Sequence, residues 1–176
     1  MKKAIAVVGS AAVSPSESEI KLCRELGKAI AGRGFVLLTG ACPGFPLEAA
    51  RGARKAEGTV VGISPAPDYK AHVEQWDYPV QEFDSIIFPG FGRGRNLVLV
   101  RSASAVAVLG GRMGTLNEFT IAFEEGKPIG VLSGIRGIGE HLEKIAEWAR
   151  KETGAKIFRS ADAKELVELL AKETER

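Results

Sequence analysis

The chain has 176 residues, 45% of them hydrophobic, which suits one globular domain over 1–176 and leaves little room for a second. Charged residues make up 26% and the net charge is only +2, with no dense basic stripe, so the composition gives no footprint for nucleic acid. Two cysteines and two histidines argue against a disulfide framework and a dedicated metal site.

Taken in order, the chain alternates apolar runs with helical patterns. Ala4 to Val8 reads as a buried strand leading into Gly9-Ser10. The run is too short for a secretion signal or a membrane span, and a reducing cytoplasm is the expected setting. A helix follows, capped by Ser16 or Ser18, with Ile20, Cys23, Leu26 and Ile30 on one stripe. Cys23 is expected to be a small buried hydrophobe.

Phe35 to Thr39 is the second expected strand. It ends in Gly40-Ala-Cys-Pro-Gly44, before an alanine-rich helix to about Ala56 that is small enough to lie close on a sheet. The cluster Arg51-Gly-Ala-Arg-Lys55 reads as a solvated face of that helix. Thr59 to Ile63 is the third strand. Asp68 to Glu82 has no clear period and reads as a loop or short helix over the sheet edge or a pocket, holding His72, Trp76 and Tyr78. Asp84 to Phe88 is the fourth strand, and Pro89-Gly-Phe-Gly-Arg-Gly94 the next glycine turn, with Arg95 and Asn96 opening a helix. Ala105 to Leu109 and Lys127 to Leu132 follow as strands. Gly137 to Lys151 is amphipathic, Ala155 to Phe158 a last short strand, and Ser160 or Asp162 caps a closing helix.

Strands alternating with helices predict an α/β, Rossmann-like, doubly wound and mainly parallel sheet of about six or seven strands, with helices on both faces. Such sheets bind ligands beyond the C-terminal ends of their strands, where the glycine turns fall. The most informative turn is Gly110-Gly-Arg-Met-Gly-Thr-Leu-Asn-Glu118. A strand, glycines and a helix start together make an anion site, with first-turn N–H groups aimed at a phosphate. The candidate phosphate or nucleotide contacts are Gly9, Ser10, Thr39, Gly40, Gly44, Gly110, Gly111, Arg112, Met113, Gly114 and Thr115. No G-x-G-x-x-G follows the first strand, and neither a P-loop nor a G-x-S-x-G elbow is present.

Gly110 to Glu118 resembles the Pro-Gly-Gly-x-Gly-Thr-x-x-Glu signature of the LOG family, the cytokinin-activating phosphoribohydrolases once labelled lysine decarboxylases. Thr39 to Ala50 looks like that family's other glycine-rich segment, and Arg95-Asn96 sits where the family carries Arg-Lys. The resemblance covers roughly Gly9 to Val131. Gly110 stands in the place of the signature proline, Arg112 in that of its second glycine, and Asn96 in that of the lysine, while Ala41 and Cys42 interrupt the first glycine cluster.

The resemblance implies hydrolysis of the N-glycosidic bond of a nucleoside 5′-monophosphate to free base and ribose 5-phosphate, with no cofactor. Glu118 would steady the oxocarbenium-like charge or orient water, and Arg95 would serve the phosphate or the leaving base. It also implies a homo-oligomer, a dimer or larger. The alternative is a non-catalytic binder or carrier of a nucleotide or a phosphorylated cofactor such as the molybdenum cofactor, since the wider superfamily holds such members. Thr115-Leu-Asn-Glu118 also fits a capping box, in which Glu118 would turn back to its own helix start. Arg112 either adds a phosphate contact or fills ligand space. Cys42, near a helix N-terminus, is either a small buried residue or a thiol of lowered pKa. His72 is either a ligand contact or a packing residue. The expected partner is a small phosphorylated molecule, with no nucleic acid, membrane or metal.

Overall fold

The β-branched and aliphatic runs pair into one sheet, seen in a computed structural model that describes residues 2–175, with Met1 and Arg176 outside the description. The strands are β1 (Ala4–Gly9), β2 (Val36–Thr39), β3 (Val60–Ile63), β4 (Ser85–Ile87), β5 (Ala105–Leu109), β6 (Ile129–Leu132) and β7 (Ile157–Ser160). They lie in the order β4-β3-β2-β1-β5-β6-β7, and every ladder is parallel. The chain thus winds outward from β1 in both directions. β1 pairs β2 from Ala4 opposite Val36, and β5 from Ile5 opposite Ala105 to Gly9 opposite Leu109. The connections leaving β1 and β5 part at this switch point and open a crevice at the C-terminal ends of both strands.

The helices are α1 (Glu17–Gly32), α2 (Phe45–Lys55), α3 (Tyr69–Glu74), α4 (Arg95–Arg101), α5 (Met113–Glu124), α6 (Leu142–Ala149) and α7 (Ala163–Glu175). Alternation along the strands sorts the core into two layers. Ile5, Val7 and Leu37 face one way, against Cys23, Leu26 and Ile30 of α1, Ala49 and Ala53 of α2, and Leu166 and Leu170 of α7. Ala6, Val8 and Leu38 face the other way, against Leu99 of α4, Phe119 of α5 and Leu142 of α6. Both faces are covered, which is why the strands read as continuous apolar runs. Cys23 is fully buried as expected, and burial pushes its thiol up to about 12.

Local details sharpen or correct the sequence reading. Ser16 is the cap of α1, in a capping box with Glu19. Asp162 takes the role at α7, its Oδ1 accepting from the N–H groups of Lys164 and Glu165. The alanine-rich α2 lies on α1 as well as on the sheet: a Cβ on Gly27 would come within 1.8 Å of the Ala49 carbonyl oxygen, so only glycine admits the crossing. The amphipathic stretch after Gly137 is not one helix. It runs as a 3-10 turn, Ile138–His141, before α6. The last strand sits two residues later than expected, at Ile157–Ser160. No described helix is long and apolar enough to cross a membrane.

Candidate functional site

A cleft of about 460 Å³ opens at the switch point. It is lined by Ser10 after β1, by Arg112 to Thr115 at the start of α5, and by Arg93, Arg95 and Glu118. That volume lies within the range of small-molecule sites. Among the described residues no cluster of three or more His, Cys, Asp and Glu is arranged to hold a metal.

α5 begins earlier than the sequence suggests, at Met113, with Arg112 in the cap position and no side-chain cap. Leu116 N–H bonds back to the Arg112 carbonyl, so the N–H groups of Met113, Gly114 and Thr115 belong to the open first turn. This register overturns the capping box. Thr115 falls at the third helical position and Glu118 one turn deeper, where its carboxylate cannot reach the helix start. Glu118 instead faces the cleft, 5% exposed.

Its partner is Arg95, at the start of α4. Arg95 Nη1 donates to Glu118 Oε1 at 2.8 Å, with side-chain exposures of 12% and 6%. Arg95 is therefore not a solvated helix-start arginine. Burial pushes the Glu118 carboxyl up to about 7, while the charge and hydrogen bond of Arg95 pull it the other way. One residue along α4, and one residue back along α5, Asn96 Nδ2 donates to Asn117 Oδ1 at 2.8 Å, so a second polar bond ties α4 to α5.

The expected phosphate contacts separate into two sets. Gly9, Ser10, Arg112, Met113, Gly114 and Thr115 line the cleft. Thr39, Gly40, Gly44, Gly110 and Gly111 stand behind it, and the glycines do so for steric reasons. Gly40 is the seat of Arg95: a Cβ there would come within 2.1 Å of Arg95 Nη2. Gly44, at φ 76°, lies against the Ser10 carbonyl, which accepts from Phe45 N–H at the start of α2. Gly110 and Gly111 have φ of 54° and 92° and turn their carbonyls to the N–H groups of Gly139 and Ile138. The glycine pair thus locks the loop after β5 to the segment after Gly137, and the cleft-lining part of the turn starts at Arg112.

Two buried side-chain oxygens lack a hydrogen-bond partner among the described residues, Ser10 Oγ and Thr39 Oγ1. Ser10 is 6% exposed and lines the cleft, while its unpartnered hydroxyl oxygen is itself closed off from solvent. Cys42 also lines the cleft, but burial raises its thiol to about 11, against the lowered value that a helix N-terminus suggests. His72 is a packing residue. It is fully buried, with Nδ1 at 2.8 Å from Ser64 Oγ and Nε2 at 3.0 Å from the Pro79 carbonyl. Arg93, Trp76 and Tyr78 line the cleft without having been singled out as contacts from sequence. The signal for Arg93 was its place inside the Gly92-Arg-Gly94 turn.

The model of the SLOG cluster4 family matches residues 2–167. The chain belongs to this family. The SLOG superfamily includes LOG-like proteins, so the resemblance carried by Gly110 to Glu118 holds at that level. A protein of Archaeoglobus fulgidus is 32% identical to this SLOG member over 116 residues, covering 66% of this chain and 72% of its own. The molybdenum cofactor binding protein of the phototrophic bacterium Rippkaea orientalis superposes with a TM-score of 0.80 at 28% identity, over 98% of both chains. The molybdenum cofactor carrier protein of Chlamydomonas reinhardtii superposes with a TM-score of 0.77 at 27% identity, over 98% of this chain and 99% of its own. The two structural likenesses cover nearly the whole SLOG chain.

Proposed function

We propose that this SLOG protein binds and carries a small phosphorylated ligand, of the class of the molybdenum cofactor, without cleaving it. The observation that carries this reading is the buried pair of Arg95 and Glu118. Arg95 Nη1 donates to Glu118 Oε1 at 2.8 Å, which gives the two residues a structural role in joining α4 to α5 that needs no reaction at the cleft. What remains open to a ligand is cationic and donor-rich: Arg93, Arg112 and the first turn of α5. Those groups suit a phosphate monoester, whose oxygens accept from N–H groups at a helix start and from arginine. The two cofactor-binding proteins of similar fold support the same cargo class.

One observation favours the hydrolytic reading, the Glu118 carboxyl near 7, where a general acid or base works best. A single preparation tests both. The protein is incubated with molybdenum cofactor released from a denatured molybdoenzyme, gel-filtered and analysed for metal. In parallel it is incubated with nucleoside 5′-monophosphates and assayed for free base. Retained molybdenum at close to one per binding site, with no base released, is the expected result. No retained molybdenum, together with base release that Glu118→Gln abolishes, would overturn the carrier reading in favour of hydrolysis.

The same proposal covers residues 1–176 as one nucleotide-binding unit, acting in the cytoplasm as a homo-oligomer on a small molecule and not on nucleic acid or membrane. Light scattering on the purified protein tests the assembly.

A further inference from the structure

The segment between β3 and β4 builds one side of the cleft from aromatic rings. Tyr78 stands edge-on to the buried His72, ring centroids 5.6 Å apart at 87°, and His72 in turn stands edge-on to Phe88 at 5.7 Å. Trp76 stands edge-on to Tyr78, at 5.5 Å and 61°. The backbone fixes the set. Trp76 N–H bonds to the Ala71 carbonyl, Tyr78 N–H to the His72 carbonyl, and Asp77 between them takes φ 51°. That left-handed backbone is uncommon for a residue other than glycine, and the rings on either side of it, Trp76 and Tyr78, both line the cleft. Trp76 is the outermost ring of this series, 39% exposed, and it shares the cleft with Arg93 and the first turn of α5.

We propose that Trp76, held by Tyr78, is the platform on which the ligand's planar heterocycle stacks while its phosphate sits at Arg112 to Thr115. The inference rests on the binding reading above and deepens it. It makes the cleft selective for a phosphate joined to a fused-ring heterocycle, a pterin or purine, over a bare sugar phosphate. The chemistry is that of an indole face against a flat heteroaromatic ring, which needs no matched hydrogen bonds. The exposed part of Trp76 is mostly apolar surface that a ligand of this shape would cover.

The two tryptophans make the test direct. Trp148 lies on α6, outside the lining of the cleft, with Lys144 over its ring, so Trp148→Phe leaves Trp76 as the only tryptophan reporter. Fluorescence and calorimetric titrations use GMP and ribose 5-phosphate, which share the phosphoribosyl group and differ in the ring. GMP is expected to quench Trp76 and to bind at least about tenfold more tightly than ribose 5-phosphate. In Trp76→Ala the two affinities should converge, while Trp76→Phe should keep most of the preference. Thermal melts of the variants check that the fold is retained. Equal affinities in the parent protein, or an unchanged ratio in Trp76→Ala, would overturn the stacking platform alone. Binding of neither phosphate would overturn this inference, and the molybdenum-retention assay above decides the functional reading separately.

Discussion

Arg95 and Glu118 hold each other 2.8 Å apart across the start of α4 and the second turn of α5, both nearly shut off from solvent. The sequence separates them by 23 positions, and the fold makes them one unit. Gly40 at the end of β2 leaves the room in which the guanidinium lies.

A buried pair costs most when it is broken on one side. Glu118→Ala would leave the Arg95 guanidinium without its counter-charge, at a cost of about 3 kcal/mol in stability. Replacing both residues by apolar side chains of similar size should restore most of that loss. Urea denaturation of the two single variants and the double variant measures the coupling.

The raised carboxyl gives a pH signature of definite sign. An ordinary glutamate titrates near 4.5, and Glu118 in the folded protein near 7. Between these values the folded chain keeps a proton that the unfolded chain has lost. Stability contributed by Glu118 is therefore fully present below about pH 4.5, falls as pH rises through about 7, and is level above, with an upper limit of about 3 kcal/mol. Denaturant titrations of the wild type and Glu118→Gln across this window isolate the effect, since the variant lacks it. The same ionisation lowers the positive charge of the cleft, so sulfate, which does not titrate here, should bind less tightly as pH rises through about 7. That trend should vanish in Glu118→Gln.

Two glycines at the site predict opposite outcomes. A methyl at Gly40 meets the Arg95 guanidinium, so Gly40→Ala should cost about 1–3 kcal/mol and weaken anion binding with it. A Cβ on Gly114 would have nothing within 4 Å of it, and the residue lies in the first turn of α5. Gly114→Ala should leave stability unchanged or slightly raised while lowering ligand affinity, because the new methyl occupies the cleft. Thermal melts and calorimetry on the pair separate the two roles.

Arg112 is exposed, caps nothing with its side chain and lines the cleft. Arg112→Ala is expected to leave the melting temperature nearly unchanged and to weaken GMP or sulfate binding about threefold, with a shallower dependence on salt. If the arginine only filled ligand space, its removal would tighten binding instead.

The carboxylate of Glu118 shows why the site was only partly legible. The spacing Thr115-Leu-Asn-Glu118 is that of a capping box, and sequence alone leaves the cap and the ligand-facing role open. The choice depends on where α5 begins. That start is set by Gly110 and Gly111, whose carbonyls are taken by the loop after Gly137, a contact between segments distant in the chain. Gly40 and Gly44 misled for a related reason. A glycine marks a place where something comes close, and only the packed structure says whether that is a ligand, an arginine or a neighbouring carbonyl. Trp76 and Tyr78 carried no period, so the sequence left their segment over either the sheet edge or a pocket. The folded chain puts both in the lining of the cleft, with the left-handed Asp77 between them.

By itself the sequence determined the layered architecture. Apolar runs of strand length, glycine turns at their ends and amphipathic helices between them admit little but a parallel doubly wound sheet, because buried strands and half-buried helices leave period and length on the chain. It also determined that the turn from Gly110 to Glu118 belongs to the ligand end of that sheet. The tertiary structure alone decided what each polar group there does. Hydrogen bonds and close contacts are satisfied between distant segments, so the partner of Glu118, the burden on Gly40 and the wall formed by Trp76 exist only once β1, β2 and β5 have brought their loops together.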